Sequence, residues 1–289
     1  MEPADGHALT RRAAAVALGV GLALATQARA GSGEPRRIVS LNPCLDALLV
    51  HLADRGRIAG ISRLSRDPQA STIAALAATL PVTGETAEEV LLLRPDLVLA
   101  STHTSAATRR ALERMGVEVL ALGAPATVAE SLSQVRTLAA RIGRPERGET
   151  LCTRINAAVD CAAAPGRRRP EMLVLLSGGL AAGPGSLPDD LLRRLGISNA
   201  AGRLGLSGWT PAPLEVLLAA PPEVLVRAQG GSGPDRPDRL TRHSALSRLG
   251  DRVLLADIPE RLLFCGGPSI VEAAGRLASI RDQALRRRA

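Results

Sequence analysis

The chain reads as an α/β protein of two Rossmann-like lobes with mostly parallel sheets, joined by a single long helix. Three observations predict this. From Arg37 onward, short aliphatic and β-branched runs alternate with amphipathic stretches, the pattern of βα units. A helix-to-strand phrase occurs twice, once in each half. Between the halves lies a helical stretch bracketed by Pro145 and Pro165-Gly166.

In the first half the strand candidates are Ile38 to Leu41, Ile58 to Ile61, Asp96 to Ala100 and Val117 to Leu122. The amphipathic segments between them are Leu45 to Ala53, Glu88 to Leu93 and Ala106 to Met115. Thr127 to Ile142 is helical, Gly143-Arg144-Pro145 breaks it, and Glu146 to Ala163 is helical again. That last segment, about 18 residues and roughly 27 Å long at 1.5 Å per residue, is a stiff connector. Strands then follow at Met172 to Leu176, Glu223 to Arg227 and Val253 to Ala256, with helices at Leu187 to Leu195, Leu214 to Ala219 and Ser269 to Leu285. The expected division is 1–30 as a signal peptide, 31–144 as the first lobe, 145–166 as the connector and 167–289 as the second lobe.

The signal peptide rests on Arg11-Arg12, the apolar run Ala13 to Ala25 and the small-x-small site Ala28-Arg29-Ala30, with cleavage after Ala30. The run is shorter than the roughly 20 residues a membrane span needs. Thr10-Arg11-Arg12 suits a twin-arginine route as well as the general secretory one, so the export route stays open. No cysteine follows the signal closely enough to carry a lipid, which makes the expected product a soluble periplasmic protein.

All 36 basic residues are arginine, and the formal charge is +8. They are scattered, and Trp209 and Phe264 are the only aromatics, so the basic stripe and stacking platforms of a nucleic-acid binder are missing. Arg167-Arg168-Arg169 and Arg286-Arg287-Arg288 read as solvated charge runs.

The repeated phrase runs from Glu88 to Leu99 and, without gaps, from Glu215 to Val226, 127 positions later. Each copy has a glutamate opening a short helix, a proline seven residues on, an acid and a strand. Together with Pro35-Arg36-Arg37-Ile38-Val39-Ser40-Leu41-Asn42-Pro43 and the late Trp209-Thr210-Pro211, this phrase resembles the periplasmic binding proteins for cobalamin and ferric siderophores, from about Arg36 to the C-terminus. The resemblance implies a ligand cleft between the lobes, no catalytic activity and no resident cofactor. The cargo it implies is a metal chelate, either a cobalt corrinoid or an iron chelate such as a ferric siderophore or heme. It also implies an ABC permease homodimer with its ATPase as partner to a receptor that is monomeric when free. In that family a glutamate on each lobe docks onto permease arginines, and the matching positions are Glu88 and Glu215.

The expected ligand-binding set is Asn42, Pro43, Cys44, Ser65, His103, Trp209, Phe264 and Cys265. Asn42-Pro43-Cys44 follows the first strand, where ligands gather in parallel sheets. Trp209 and Phe264 both fall in expected loops, which suits ligand contact better than core packing. Cys44 and Cys265 come from opposite lobes and have three readings: metal ligands, a disulfide, or small apolar residues. The last is preferred because free cysteine is usually a buried small hydrophobe. Cys152 and Cys161 lie nine apart in one helix, too far to bridge within it. His103, just past a strand end, is the histidine best placed for the cleft and is a candidate contact or metal ligand. Ser177-Gly178-Gly179-Leu180-Ala181-Ala182-Gly183-Pro184-Gly185 has Pro184 where a phosphate loop needs lysine, so its glycines are expected to let backbone approach the ligand. Two alternatives compete: a small two-lobed hydrolase or chelatase using His103 or Cys44, and a receptor for a free metal ion. The first lacks a nucleophile elbow, and the second lacks convergent histidines and carboxylates.

Overall fold

The computed structural model describes residues 33–164, 166, 168–230, 243–247, 249–250 and 252–287. The expected signal peptide, its cleavage site after Ala30, Pro165, Arg167 and Arg288 lie outside these residues. Residues 33–289 cluster as one compact unit.

In chain order the first lobe contains β1 (Ile38–Ser40), α1 (Pro43–Leu52), β2 (Ile58–Ser62), α2 (Ala74–Ala77), β3 (Val82–Thr83), α3 (Ala87–Leu92), β4 (Leu97–Ser101), α4 (Ala106–Arg114), β5 (Glu118–Leu122) and α5 (Val128–Arg141). The connector is α6 (Pro145–Ala162). The second lobe contains β6 (Glu171–Leu175), β7 (Leu180–Ala182), α7 (Leu187–Arg194), β8 (Ser198–Asn199), α8 (Ala200–Arg203), β9 (Trp209–Pro211), α9 (Leu214–Ala219), β10 (Val224–Gln229), α10 (Ser244–Ser247), β11 (Leu254–Pro259) and α11 (Ser269–Arg287).

The first sheet, in order β3-β2-β1-β4-β5, is parallel throughout. Its central strands are buried on both faces, as helix-covered parallel strands must be. Alternation along them divides the core: Ile38, Leu97 and Leu99 face α1 and α5, whereas Val39 and Val98 face α3 and α4. The second sheet, β11-β10-β6-β7-β9 with β8 beside β6, is mixed. β7 runs antiparallel to both β6 and β9. Gly178 and Gly179 explain the reversal, because both adopt positive φ (79° and 78°) in the tight turn joining β6 to β7.

Gly178 and Gly179 therefore make a structural hairpin, while Gly185 at the far end of the stretch lines the cavity described below, and Trp209, expected in a loop, begins an edge strand. Gly183 also serves the chain itself. A Cβ there would lie 2.8 Å from the Leu206 carbonyl oxygen and from Ser207 Cα, so the room is taken by backbone rather than by ligand.

The two sheets share one interior. Met172, Val174, Leu176, Val224 and Val226 of the second sheet belong to the same continuous cluster as Ile38, Leu97 and Leu99 of the first. Leu151, Ile155 and Val159 of α6 and Ile270, Ala273 and Leu277 of α11 connect them. α5 meets α6 where a Cβ on Gly148 would come within 2.5 Å of Ala139 Cβ, a contact that only glycine permits.

Polar groups fasten both ends of α6. Arg144 just before α6 and Arg147 in its first turn reach Asp54 at 2.6 and 2.7 Å, and Arg147 also donates to the Leu52 carbonyl that ends α1. At the other end the buried Arg281 of α11 donates from Nη1 to the carbonyls of Ala162 (2.6 Å) and Leu195 (2.8 Å). One guanidinium thus satisfies the orphan C-terminal groups of α6 and α7. The expected arginine runs are likewise partly engaged, since Arg168 pairs with Glu223 at 2.7 Å and Arg287 donates to the Gly250 carbonyl at 2.7 Å.

Candidate functional site

The carboxyl ends of β1, β4 and β5 point toward the second lobe, and a cavity of about 340 Å³ lies there. From the first lobe it is lined by Asn42 and Cys44 at the start of α1, by Ser101 at the end of β4 and His103 beyond it, and by residues 122–126 at and after the end of β5. Gln134 of α5 closes that side. The second lobe contributes Leu180, Gly185, Ser186, Trp209, Phe264 and Gly266.

Each polar group at this site is held by a local device. Asn42 is the N-cap of α1, its Oδ1 accepting from the Cys44 amide at 3.0 Å. Thr104 Oγ1 accepts from the Ser101 amide at 3.1 Å and Ser101 Oγ accepts from the His103 amide at 3.2 Å, a closed turn that fixes the backbone of His103. The His103 imidazole is exposed and makes no hydrogen bond to the described residues. Gln134 Nε2 donates to the Gly123 carbonyl at 2.8 Å, which pins the loop after β5 and leaves Oε1 for a ligand. Ser186 caps α7 and donates to the Gly183 carbonyl at 2.7 Å.

Trp209 and Phe264 form one wall. Their ring centroids are 5.7 Å apart and tilted by 38°, and each side chain remains more than two-fifths exposed (42% and 43%). Rings that large stay open to solvent only at an energetic cost, so the pair presents an apolar surface available to a ligand.

Cys44 and Cys265 are joined by a disulfide, with Cα atoms 5.1 Å apart. This corrects the preferred reading of two separate apolar packers. It also removes both sulfurs as metal ligands and Cys44 as a nucleophile, since those roles need a thiolate. Cys152 is a buried thiol and Cys161 an exposed one, in keeping with their distance along α6.

Ser65 is the second correction. It is fully buried, and its hydroxyl donates to Asp46 Oδ2 at 2.6 Å, so it supports α1 from behind and does not reach the cavity. The same oxygen accepts from the Ser62 amide (2.9 Å) and hydroxyl (2.7 Å), while Oδ1 has no hydrogen-bond partner among the described residues. Burial pushes the Asp46 carboxyl up to about 6 against the opposing serine hydrogen bonds. Pro43 occupies the first turn of α1, where its missing N–H costs nothing, and it is not among the cavity-lining residues.

The residues that sequence reasoning missed are Ser101, Gln134, Ser186 and the loop after β5. The rule that ligands gather at strand ends pointed to that loop, but residues 122–126 carry no side chain of distinctive chemistry.

Away from the cavity, Glu88 and Glu215 occupy the same position, the second residue of α3 and of α9. Both are exposed, and neither has an ion pair among the described residues. Their neighbour Glu89 is consumed locally. Thr86 caps α3, its Oγ1 accepting from the Glu89 amide at 3.3 Å and donating to the Glu89 carboxylate at 3.2 Å, and Glu89 also pairs with Arg63 at 2.7 Å. The helices cover corresponding outer faces of the two sheets, with Val90 and Leu217 as matching buried anchors.

The sequence profile of the periplasmic binding protein family matches residues 38–250. A protein of Halobacterium salinarum described as a cobalamin-binding protein is 26% identical over 211 residues, covering 71% of this chain. The match spans 56% of that relative's length. Among solved structures, a periplasmic heme-binding protein from Pseudomonas aeruginosa superposes with a TM-score of 0.66 at 26% identity, covering 86% of this chain and 92% of its own. The periplasmic heme-binding protein RhuT of Roseiflexus sp. RS-1 gives a TM-score of 0.71 at 24% identity, covering 87% and 99%, which speaks for the fold alone.

Asp46 supplies a pH test of the framework behind the cleft. Its pKa is raised on folding, so the stabilisation it contributes is complete below the unfolded value of 3.8 and is lost as pH rises through about 6. Urea titrations should show the unfolding free energy falling by about 3 kcal/mol between roughly pH 4 and pH 7 from this group. The fall should be absent in Asp46→Asn. An identical pH profile in that variant would clear Asp46 of the role.

Proposed function

Since the chain belongs to the periplasmic binding protein family, we propose that it is the soluble receptor of an ABC importer and that its cargo is a metal macrocycle without net negative charge, of the corrinoid class. One observation carries the choice of cargo. Among the described residues the cavity is lined by no arginine, aspartate or glutamate, although the chain holds 36 arginines. A heme brings two carboxylates, and ferric catecholates bring several charges. An anion taken from water into a site without a cationic partner pays a desolvation cost that nothing there offsets.

A corrinoid offers peripheral amides, which Asn42, Ser101, Gln134 and Ser186 can meet as donors or acceptors. Its flat ring suits the wall made by Trp209 and Phe264. Among the described residues the His103 imidazole is the one ligating side chain lining the cavity, placed to meet an amide or an open axial position of the metal. A cavity of 340 Å³ encloses part of such a ligand and leaves its rim in the cleft mouth. The cobalamin-binding description of the Halobacterium relative supports the same class. The free-metal reading has less to stand on, because no group of three or more His, Cys, Asp or Glu converges among the described residues.

Quenching of Trp209 fluorescence tests the cargo. Hydroxocobalamin should bind with one-to-one stoichiometry and without turnover, and Trp209→Ala, followed by calorimetry, should cost about 1–3 kcal/mol. Saturable binding of heme or a ferric catecholate, with none of hydroxocobalamin, would overturn the corrinoid assignment.

Glu88 and Glu215 are proposed to dock onto arginines of a permease dimer. Capping explains Glu89 but leaves two unpaired acids at one position of two equivalent helices. Two like charges presented by similar lobes match a partner with two-fold symmetry, where charge sets register and encounter rate. In a reconstituted importer, E88R/E215R should abolish transport while hydroxocobalamin affinity stays within about twofold, since exposed charges contribute little to folding. Normal transport by the double reversal would remove these residues from docking.

A further inference from the structure

The disulfide joins the two lobes beside the cavity, and its placement goes beyond stability. Cys44 is the second residue of α1 in the first lobe, and its side chain lines the cavity. Cys265 lies in the short loop between β11 and α11 of the second lobe, immediately after Phe264. The other ties of that loop to the first lobe follow Cys265 in the chain: a Cβ on Gly266 would come within 2.7 Å of Pro125 Cγ and 2.5 Å of Ser131 Oγ. The Gly267 amide donates to Ser131 Oγ at 2.6 Å, and Gly267 packs so closely on Leu48 that a Cβ would come within 2.4 Å of its Cδ2. The hydroxyl of Ser269 bonds back to the carbonyls of Cys265 and Gly266, which shapes the loop without anchoring it across the cleft.

Phe264 itself is 43% exposed, and the ring contact recorded for it is with Trp209. A half-exposed ring on a short loop has many accessible rotamers and holds one only if its backbone is fixed. Phe264 stands between Leu263, buried in the core, and the half-buried Cys265, whose covalent bond to the first turn of α1 ties this point of the loop to the first lobe.

We propose that the Cys44–Cys265 disulfide is the positioning element of the binding site: it holds Phe264 against Trp209 and presents the ligand with an aromatic wall already formed. Ligand then meets a surface whose ordering cost has been met during folding. A wall that had to assemble on binding would carry that cost in the affinity and release the ligand faster. The proposal deepens the corrinoid reading, but its structural half does not depend on which ligand binds.

Trp209 is the sole tryptophan of the chain, so its fluorescence reports this wall directly. The test compares the full chain with C44S/C265S, both folded by circular dichroism, using acrylamide quenching of the ligand-free proteins. Phe264→Ala with the disulfide intact calibrates the effect of losing the ring. Removing the disulfide should raise the quenching constant about twofold, to the Phe264→Ala value, and should speed hydroxocobalamin dissociation about tenfold in stopped-flow displacement. A disulfide that served stability alone would lower the unfolding midpoint and leave native-state quenching unchanged.

The proposal is overturned if C44S/C265S keeps the wild-type quenching constant while Phe264→Ala raises it. Should the double variant fail to fold, the native protein treated with a water-soluble phosphine gives the same readout. The phosphine cleaves the S–S bond, each sulfur takes a proton, and the phosphine leaves as its oxide with oxygen from water. If hydroxocobalamin binds neither protein, the corrinoid reading falls and the acrylamide comparison still decides the role of the disulfide.

Discussion

Everything functional in this chain depends on two sheets sharing one apolar core around a single helix. α6 buries Leu151, Ile155 and Val159 in a cluster that draws side chains from both lobes, and α11 returns from the second lobe to pack along it. The lobes are therefore distinct in topology but continuous in packing. Separating them would expose aliphatic surface at about 25 cal/mol per Å² and uncover the carbonyls that Arg281 satisfies. A connector built this way resists bending, so the geometry of the cleft is settled at folding. Smaller links act in the same sense, including the Val128 amide of α5 donating to Asp190 of α7 at 2.9 Å.

The cleft follows from topology. Parallel strands end together, and their carboxyl ends leave turns such as Ser101 to Thr104 free to present a side chain. The chemistry of the cleft is defined as much by what it keeps away as by what it holds. Arginines serve ion pairs, helix ends and surface, while the described lining carries amides, hydroxyls, two rings and one imidazole. Such a lining offers an anion no charged partner among the described residues. The outer faces mirror the inner arrangement, since α3 and α9 place Glu88 and Glu215 at equivalent points of the two lobes.

Much of this was legible in the sequence. The bracketing prolines and glycine placed α6 to within a few residues, and the repeat from Glu88 and Glu215 became two six-residue helices followed by strands in the same register. What escaped was non-local. The pairing of Cys44 with Cys265 was one of three open readings and not the preferred one, because it spans 221 residues and no spacing rule reaches so far. Ser65 was misplaced because a serine before a loop looks the same whether it meets ligand or a buried carboxylate such as Asp46. The reversal of β7 was hidden by the glycines that cause it, which read equally well as a ligand loop.

The most direct test of the account is a pair of crystal structures, one of the ligand-free protein and one of its complex with hydroxocobalamin. The account predicts the corrin ring between the Trp209–Phe264 wall and His103, with the two lobes of the complex superposing on the ligand-free protein as one body within about 1 Å. A ligand bound elsewhere, or lobes that hinge by more than about 2 Å around α6, would contradict it.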